Sequence, residues 1–490
     1  MARTTYRRRV TGLPEPEPGI RVSGSPDRPF RQRARRVVKG DGPPTLPIAT
    51  PGTRSGLTAE VERSVLDLVL RTGEAMMATG APVADVTAAL LRLAAGFGVT
   101  SCQVDITFIS IVVSIDRDDD PITKMRVINV RTSDYSRLAD MFDLVDDAGE
   151  GKIDLAEAHR RLDTILSSSH PYRRWIVTLA LGLMAGGVAV LLSGGPLVAL
   201  VAALTTMLID RTLRYLRRIG LPYLFQQVIG AGIATMVGLA ALVATDQFGW
   251  SSTLVPPSLI VASGIVVLLA GLSIVGAAED AIAGFPLTAA ARTFEVALYT
   301  VGLVIGIGIV LGFGQRIGVP LSVTDSSTLS SPVTLQLLGG GMIAAAWGLA
   351  SYTRIGTILL ILPVGMLSAG SLLFARNVLE LGAALAAFFA ALLVGLTSGA
   401  LSERVGAPNL IISVCGITPL LPGLAIYNAM FTMVEDNNVV GGTGMFIGAL
   451  GTALALAAGV TLGEFLATPL RSEMDRWQRR VHRRARGART

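Results

Sequence analysis

The distribution of hydrophobic residues divides the chain near residue 172. Beyond that point the apolar residues form ten long segments, each near the ~20 residues that a helix needs to cross a bilayer. This pattern predicts a polytopic α-helical membrane protein with about ten transmembrane helices. The segments run approximately over 175–193, 196–213, 222–245, 256–278, 287–313, 333–352, 355–374, 378–401, 408–431 and 440–466.

The region 57–172 has the shorter patterns of a small folded domain. Apolar residues first recur at intervals of three and four, which predicts two helices. Gln103–Ile115 then alternates and is rich in Ile, Val and Thr, and Ile122–Val130 resumes the alternation after an acidic turn. Such alternation predicts strands. Helical spacing returns over about 134–148 and 154–168. We therefore expect a small cytoplasmic α+β domain ahead of the membrane region.

Composition supports the membrane assignment and argues against several other classes of protein. The chain has 490 residues, of which 51% are hydrophobic and only 16% are charged, whereas a soluble protein of this size needs more surface charge. Cys102 and Cys415 are too few and too far apart for a disulfide-stapled secreted fold. His159, His170 and His482 are scattered, so we predict neither a metal site nor another cofactor.

The excess of basic residues is confined to the two ends of the chain. Residues 1–56 carry 12 Lys and Arg against 4 Asp and Glu, and residues 471–490 carry 8 against 2. The net charge of +6 therefore does not indicate a nucleic-acid-binding domain. We predict a disordered basic tail at 1–56, an α+β domain at 57–172, membrane halves at 173–314 and 315–470, and a basic cytoplasmic tail at 471–490.

Arginines in the connecting loops set the expected orientation. With a cytoplasmic N-terminal domain, the outward loops contain Arg316 and Arg376, whereas the inward loops contain seven arginines. Because loops rich in Lys and Arg stay in the cytoplasm, both termini are predicted to be cytoplasmic. The seven inward residues are Arg211, Arg214, Arg217, Arg218, Arg292, Arg354 and Arg404.

The membrane region contains an internal match at an offset of 152 residues. Ser263–Ile274 aligns with Cys415–Ile426, with seven of the twelve positions identical. A five-span unit copied once would place its fourth span and the copy of that span in opposite directions. This arrangement predicts a 5+5 inverted repeat, which is typical of secondary transporters. The alternative is a chance similarity between glycine-rich apolar helices.

Four charged residues lie in or beside the predicted fourth and fifth spans. Glu279 and Asp280 end the fourth span, and Arg292 and Glu295 lie three residues apart on one face of the fifth. A charge within a bilayer usually faces a partner or a cavity, because an unpaired one is costly. Asp280, Glu295 and Glu279 are therefore candidates for proton coupling, and Arg292 for binding a substrate carboxylate. The alternative places all four at the aqueous interface.

The predicted ninth span contains two prolines that should interrupt its helix. Pro419 and Pro422 leave carbonyl groups without intrahelical donors, and within a membrane such groups need protein, water or a ligand. Transporters with inverted repeats bind their substrates at breaks of this kind. The candidates for substrate binding are Thr418, Pro419, Pro422, Tyr427 and Asn428. The alternative is a kink that serves packing alone.

Several of these motifs resemble those of the threonine/serine exporter family. The resemblance covers about residues 57–468 and rests on Val104–Thr107, Ser263–Gly271 with Asp280, Pro286 with Ala291–Glu295, and Gly416–Tyr427. It implies a secondary exporter of small hydroxy amino acids, threonine and serine, driven by the proton motive force across the cytoplasmic membrane. Some relatives divide the same architecture between two polypeptides and are linked to dicarboxylate export, which is the alternative substrate class.

A further alternative assigns the chemistry to the soluble domain, as a hydrolase-like or sensory module. That domain has no Gly-x-Ser-x-Gly or His-Glu-x-x-His motif, and no histidine lies between residues 57 and 158. Because a nucleophile without a nearby base is a poor catalyst, we predict no enzyme activity and no catalytic residue. The expected partners are a small amino acid, protons and the lipid bilayer, without nucleic acid, and assembly into a homo-oligomer stays open.

Overall fold

The computed structural model describes residues 57–116, 121–128, 132–247, 256–268, 271–319, 332–405, 407–434 and 438–487. The predicted tail at 1–56 and the last three residues of the C-terminal tail lie outside these ranges. Within them the chain is mostly helical, and a three-stranded sheet lies near its N-terminal end.

The N-terminal region combines helices with a small antiparallel sheet. Its elements are Ala59–Ala78 (α1), Val83–Gly96 (α2), Cys102–Thr107 (β1), Ser110–Ile115 (β2), Ile122–Val127 (β3), Tyr135–Gly149 (α3) and Leu155–Ser167 (α4). The strands pair in the order β1-β2-β3, with Val104 opposite Val113 and Val113 opposite Lys124. Helices α1 to α4 and the sheet enclose a common apolar core.

One strand prediction is wrong. The alternating stretch Gln103–Ile115 is not a single strand, because β1 and β2 form a hairpin with Phe108 and Ile109 in its turn. This turn contains none of the glycine, asparagine or aspartate residues that two-residue hairpins favour, so the sequence gives no local sign of it. Ile106 and Ile111, on either side of the turn, are both buried in the core.

The membrane region follows as a series of longer helices. Their bounds are Arg174–Leu191 (α5), Pro196–Arg218 (α6), Tyr223–Gln247 (α7), Pro257–Gly264 (α8), Gly271–Ile282 (α9), Pro286–Arg316 (α10), Val333–Ala350 (α11), Ile355–Asn377 (α12), Ala383–Val405 (α13), Asn409–Ile417 (α14), Gly423–Val434 (α15) and Val439–Gly487 (α16). Among the described residues, eight helices are long and apolar enough to cross a membrane, and α14 with α15, bent by 45°, would make a ninth. The chain is therefore a multi-pass helical membrane protein.

The predicted fourth span accounts for the difference from ten. The segment 256–278 contains α8, a turn at 265–268 and the start of α9, and each of the two helices is too short to cross a bilayer alone. Hydropathy measures how apolar a segment is and does not detect an interruption of its backbone. A broken helix and a continuous one therefore give the same signal in the sequence.

The helices on either side of residues 320–331 follow the same order of lengths. Helices α5 and α11 have 18 residues each, α6 and α12 have 23 each, and α9 and α15 have 12 each. Helix α14 begins 152 residues after α8, and α15 begins 152 residues after α9. Equivalent pairs also pack together, since α7 lies against α10 and α13 against α16.

Glycines allow these equivalent pairs to pack closely. A Cβ added at Gly306 on α10 would lie 2.2 Å from the carbonyl oxygen of Val228 on α7. A Cβ added at Gly459 on α16 would lie 2.4 Å from the carbonyl oxygen of Phe388 on α13. Neither position has room for a side chain, so close helix packing requires glycine at both.

The N-terminal region docks on the membrane helices at the loop between α11 and α12. The backbone N–H of Tyr135 donates to the carbonyl oxygen of Ser351 at 2.9 Å, and Arg354 forms an ion pair with Asp140. The apolar core of the N-terminal region also continues into α11, α12 and α14. The two regions therefore share a core rather than meeting only through polar contacts.

Candidate functional site

Asp280 lies fully buried where α9 meets the N-terminal region, with 0% of its surface exposed. Its Oδ2 forms an ion pair with Nη1 of Arg292 on α10 at 2.8 Å. Its Oδ1 accepts a hydrogen bond from the backbone N–H of Val83, the first residue of α2, at 3.2 Å. A buried carboxylate is costly unless its charge is matched in this way. Two residues singled out from the sequence are thus direct partners.

The chain between α9 and α10 explains how this pair forms. Gly284, with a φ of 91°, adopts the left-handed backbone that a tight reversal requires. Pro286 begins α10 at a position where a missing N–H breaks no helical hydrogen bond. The N–H of Phe285 closes the turn by donating to the carbonyl oxygen of Asp280 at 2.8 Å. The turn therefore sets Asp280 against Arg292, which lies between one and two turns into the next helix.

Val83 contacts Asp280 because α2 has no cap of its own. The residue before the helix is Pro82, and no side chain from its own segment caps it. The first N–H groups of a helix lack intrahelical acceptors and carry partial positive charge. Asp280 supplies that acceptor from a position 197 residues further along the chain.

Asp85, in the first turn of α2, belongs to this site and was not identified from the sequence. Asp85 is exposed at the surface of the N-terminal region. The surrounding protein, and secondly the charge of Asp280, raise the pKa of the Asp85 carboxyl above its ordinary value. The only local sign in the sequence is an acid in the first turn of a helix, which is a common feature of helices.

Glu279 adds a further acid beside Asp280. It is half-buried, and the charged residues that act on it are Glu464 on α16, Asp85, Asp280 and Arg292. We call these five residues the Asp280 cluster. Asp280 pairs with Arg292, and the nearby carboxyl groups repel one another when they are ionised, so the cluster is chemically suited to hold a proton. In the described part of the chain, no three His, Cys, Asp or Glu side chains are arranged to hold a metal ion.

Glu295 makes its described contacts in another direction. The hydroxyl group of Tyr299 donates to Oε1 of Glu295. The ring of Tyr299 packs against that of Tyr223 on α7, with 4.3 Å between the ring centroids. The sequence places Arg292 and Glu295 on one face of α10, but the side chain of Arg292 turns to Asp280. A joint action of Glu295 and Asp280 stays a prediction.

The second helix break falls at the predicted prolines. Helix α14 ends at Ile417, residues Thr418–Leu420 form a short 3-10 helix, and α15 begins at Gly423. The hydroxyl group of Thr418 donates back to the carbonyl oxygen of Val414 at 3.0 Å. Pro419 is buried and Pro422 is partly buried. Their contact with a substrate stays a prediction.

Tyr427 and Asn428 differ in what they offer a ligand. Tyr427 is 3% exposed and packs against the ring of Phe431, at a centroid distance of 6.1 Å. The Oδ1 atom of Asn428 is buried and accepts no hydrogen bond from the residues that the structure describes. Such an atom is costly in a folded protein unless a water molecule or a ligand satisfies it. Asn428 is therefore the better-supported of the two candidates.

The two helix breaks lie in common apolar clusters. Val275 on α9 is buried together with Ile417 and Leu420 from the second break. Ile265, in the turn after α8, is buried together with Tyr427 on α15. The broken helices therefore lie side by side, although about 150 residues separate them in the chain.

Comparison with known proteins gives matches over almost the whole chain. A family model described as "Putative threonine/serine exporter" matches residues 67–314, and one described as "Threonine/Serine exporter, ThrE" matches residues 341–466. A Mycobacterium tuberculosis protein named "Probable threonine/serine exporter" is 38% identical over 458 residues, which cover 90% of this chain and 84% of that protein. The chain belongs to the threonine/serine exporter family.

A second relative agrees with this membership. A Corynebacterium glutamicum protein named "Threonine/serine exporter" is 34% identical over 443 residues, which cover 89% of each chain. No solved structure matches the chain at a significant level. The family membership confirms the resemblance drawn from the sequence motifs. In this member of the threonine/serine exporter family, Asp85, Asp280 and Arg292 fall within the first matched part, and Pro419 and Asn428 fall within the second.

Proposed function

We propose that this chain exports threonine and serine across the cytoplasmic membrane as a secondary transporter driven by the proton motive force. The substrates are those named for the two relatives that are 38% and 34% identical over most of the chain. The observation that carries the mechanism is the buried Asp280–Arg292 pair beside two adjacent helix breaks. Ionisable groups inside a membrane protein are costly and usually mark an ion or substrate path.

The proposal includes a 5+5 inverted repeat, formed by α5–α10 and α11–α16. The equal lengths of three of the helix pairs and the offset of 152 residues support it. Ser193, after α5, and Tyr352, after α11, both have a positive φ, of 65° and 60°. The side-chain amide of Gln336, at the start of α11, donates to Oγ of Ser193 at 3.4 Å, whereas Tyr352 follows the other end of α11. The loops after α5 and α11 hold equivalent places in the two halves, and they lie near opposite ends of α11. An inverted repeat puts equivalent loops on opposite sides of the membrane, so this arrangement supports it.

Proton coupling is assigned to the carboxyl groups. The membrane helices up to residue 470 contain no histidine, so an acid is the remaining group able to bind and release a proton. Asp280 and Glu279 lie within the Asp280 cluster, and Glu295 is a third candidate on α10. A proton and the ammonium group of the substrate would compete for one carboxylate. That competition exchanges an inward proton for an outward amino acid.

Substrate binding is assigned to Arg292 and to the second helix break. A guanidinium group can hold the substrate carboxylate by two hydrogen bonds. Pro419 and Pro422 form the break, and the buried Oδ1 of Asn428, on the helix that follows, is an acceptor for an ammonium or a hydroxyl group. Thr418 and Tyr427 lie beside them as further candidates.

The proposed orientation has both termini in the cytoplasm. It rests on the excess of arginine in the loops that this orientation turns inward. The ion pair of Arg354, in one of those loops, with Asp140 agrees with it, because it requires the loop and the N-terminal region to lie on one side. A reporter fused after Thr490 is expected to be active only in the cytoplasm. Activity only on the outer side would overturn this orientation.

Transport in proteoliposomes tests the function. Purified protein is expected to exchange labelled threonine and serine, and to move both uphill when a proton gradient is imposed. Succinate serves as the third labelled compound, and transport of succinate alone would replace the proposal with dicarboxylate export. Failure of all three compounds to exchange would overturn the transport proposal itself.

A variant separates coupling from binding in the same assay. Asp280→Asn should keep exchange, which needs no net movement of protons, but lose uphill transport. The matched control is Asp210→Asn, because Asp210 is also buried and paired with an arginine, Arg214, but lies outside the Asp280 cluster. Normal uphill export with an unchanged pH dependence in Asp280→Asn would show that Asp280 is not the coupling group.

A further inference from the structure

We propose that helix α2 is the cytoplasmic gate of the transport path, and that Asp85 is the residue whose protonation keeps this gate shut. The inference rests on the proposed function, because a gate requires a path. It assigns to the N-terminal region a direct part in transport rather than a separate chemistry.

The contact that defines the gate joins two distant parts of the chain. The N–H of Val83 binds Oδ1 of Asp280 at 3.2 Å, and Asp280 has no exposed surface with α2 in this position. The N-terminus of α2 is therefore part of what separates the Asp280–Arg292 pair from water. Water and substrate can reach that pair from this side only after α2 withdraws.

Asp85 is placed to control this withdrawal. It lies two residues after Val83 in the first turn of α2, where the charge of Asp280 acts on it. Asp85 is exposed, so it can exchange a proton with the cytoplasm while α2 stays docked. The other charged groups that face this point are Glu279 on α9, Arg292 on α10 and Glu464 on α16.

The direction of the effect follows from proton linkage. An acid whose pKa is raised in the docked state binds its proton more tightly there than in the withdrawn state. It therefore stabilises docking fully below its ordinary pKa of 3.8, and this contribution is lost as the pH rises through the raised pKa. An ionised Asp85 repels Asp280, and a protonated Asp85 does not. Loss of the proton to cytoplasmic water thus favours opening.

This sequence of events fits an exporter that takes a proton inward for each cycle. The proton leaves the carboxyl group of Asp85 for the cytoplasm, α2 withdraws, and an amino acid can enter from the same side. The next proton that crosses the membrane by way of Asp280 protonates Asp85 again, and α2 returns and covers Asp280. The gate opens only after the inward-moving proton has been released, which limits leakage of substrate.

Hydrogen exchange tests the gate without any substrate. The full-length purified protein is incubated at several values from about pH 4, near the ordinary pKa of 3.8 for Asp85, to about pH 8, and exchange of the backbone amides of Val83–Val86 is corrected for the chemical rate. The opening constant is expected to rise with pH, by at most about tenfold per pH unit for one proton. The amides of α3 serve as an internal measure of folding.

Three variants sharpen this measurement. Asp85→Asn should keep the first turn of α2 protected at every pH, and it should lower the initial rate of export in liposomes by about tenfold or more. Asp85→Glu should retain the rise with pH, because it keeps the carboxyl group. Asp116→Asn, at an exposed acid beyond β2, is the matched control and should behave like the unmodified chain.

The outcomes separate the gate from the transport function. Exchange at Val83–Val86 that does not depend on pH in the unmodified chain would overturn the gate, and so would a normal pH dependence in Asp85→Asn. If the pH dependence is present and is lost in Asp85→Asn, but liposomes transport neither threonine nor serine, the control of α2 docking by Asp85 stands and the proposed function fails.

Discussion

The two broken helices of the membrane region share a geometry but differ in chemistry. Each consists of a segment of eight or nine residues followed by one of twelve. The first carries Glu279 and Asp280 near its end, and Asp280 pairs with Arg292. At the offset of 152 residues, Thr432 occupies the position in the second that corresponds to Asp280. The second break instead contains prolines and Asn428, whose buried Oδ1 is an available acceptor.

In the proposed inverted repeat, this difference indicates how two equivalent halves can support a function with two distinct tasks. A buried ion pair is costly to form, and a single one is enough to bind a proton. In the proposed mechanism the first break carries the charge chemistry, and the second supplies uncharged acceptors for the substrate. Four changes would test this division of roles.

The largest effect is expected from the two equivalent positions themselves. Asp280→Ala leaves Arg292, of which only 16% is exposed, without its partner, and should lower the free energy of unfolding by about 3–5 kcal/mol. Thr432→Ala, at the corresponding position, should cost less than about 1 kcal/mol. Denaturant unfolding of the purified protein measures both. The Asp280→Ala/Arg292→Ala double variant should recover part of the loss. Equal costs at Asp280 and Thr432 would contradict the proposed asymmetry.

The next effect concerns the second break. Replacing Pro419 and Pro422 together with alanine should let α14 continue into α15, remove the break ahead of Asn428 and reduce export by about tenfold or more in a folded protein. Liposome transport gives the rate, and hydrogen exchange of α15 checks the fold. Pro363→Ala is the matched control, because Pro363 lies within α12 and outside the break. Full export by the double variant would show that the prolines only bend the helix for packing and have no part in transport.

A smaller effect is expected from the glycines at which the two halves pack in the same way. Gly306→Ala and Gly459→Ala should each lower the free energy of unfolding by about 1–3 kcal/mol, because the added Cβ would overlap a carbonyl oxygen in both halves. Gly312→Ala, where an added Cβ meets no atom within 4 Å, should be neutral or stabilising. A marked difference between Gly306→Ala and Gly459→Ala would weaken the proposed repeat.

The smallest effect is expected at Glu295. In Glu295→Gln a neutral oxygen can still accept from the hydroxyl group of Tyr299. The difference between a charged and a neutral acceptor is ~1 kcal/mol, so uphill export should fall by about fivefold at most. The measurement is uphill transport under an imposed proton gradient, compared with the same measurement on Asp280→Asn. A complete loss of uphill export would mean that Glu295 and Asp280 act together as one coupling unit.

Local features were sufficient for the coarse description of this protein. The lengths of the apolar segments identified a multi-pass membrane protein, and the string Gly416–Tyr427 identified the family. The break at Pro419 followed from the chemistry of proline, which lacks an N–H group and cannot continue a helix. Asp280 and Arg292 could be singled out as a candidate pair because only a short turn separates their helices.

Tertiary structure alone decided the remaining features. It joined Asp280 to Val83 across 197 residues and brought Asp85 into the same site. Hydrophobic periodicity records which face of a helix is buried, but not which distant carboxylate lies at the end of that helix. Hydropathy likewise could not distinguish the broken helix of α8 and α9 from a continuous span. The sequence determined which residues of the membrane region can be charged. The packing of helix ends that lie far apart in the chain determined which of these residues come together in one site.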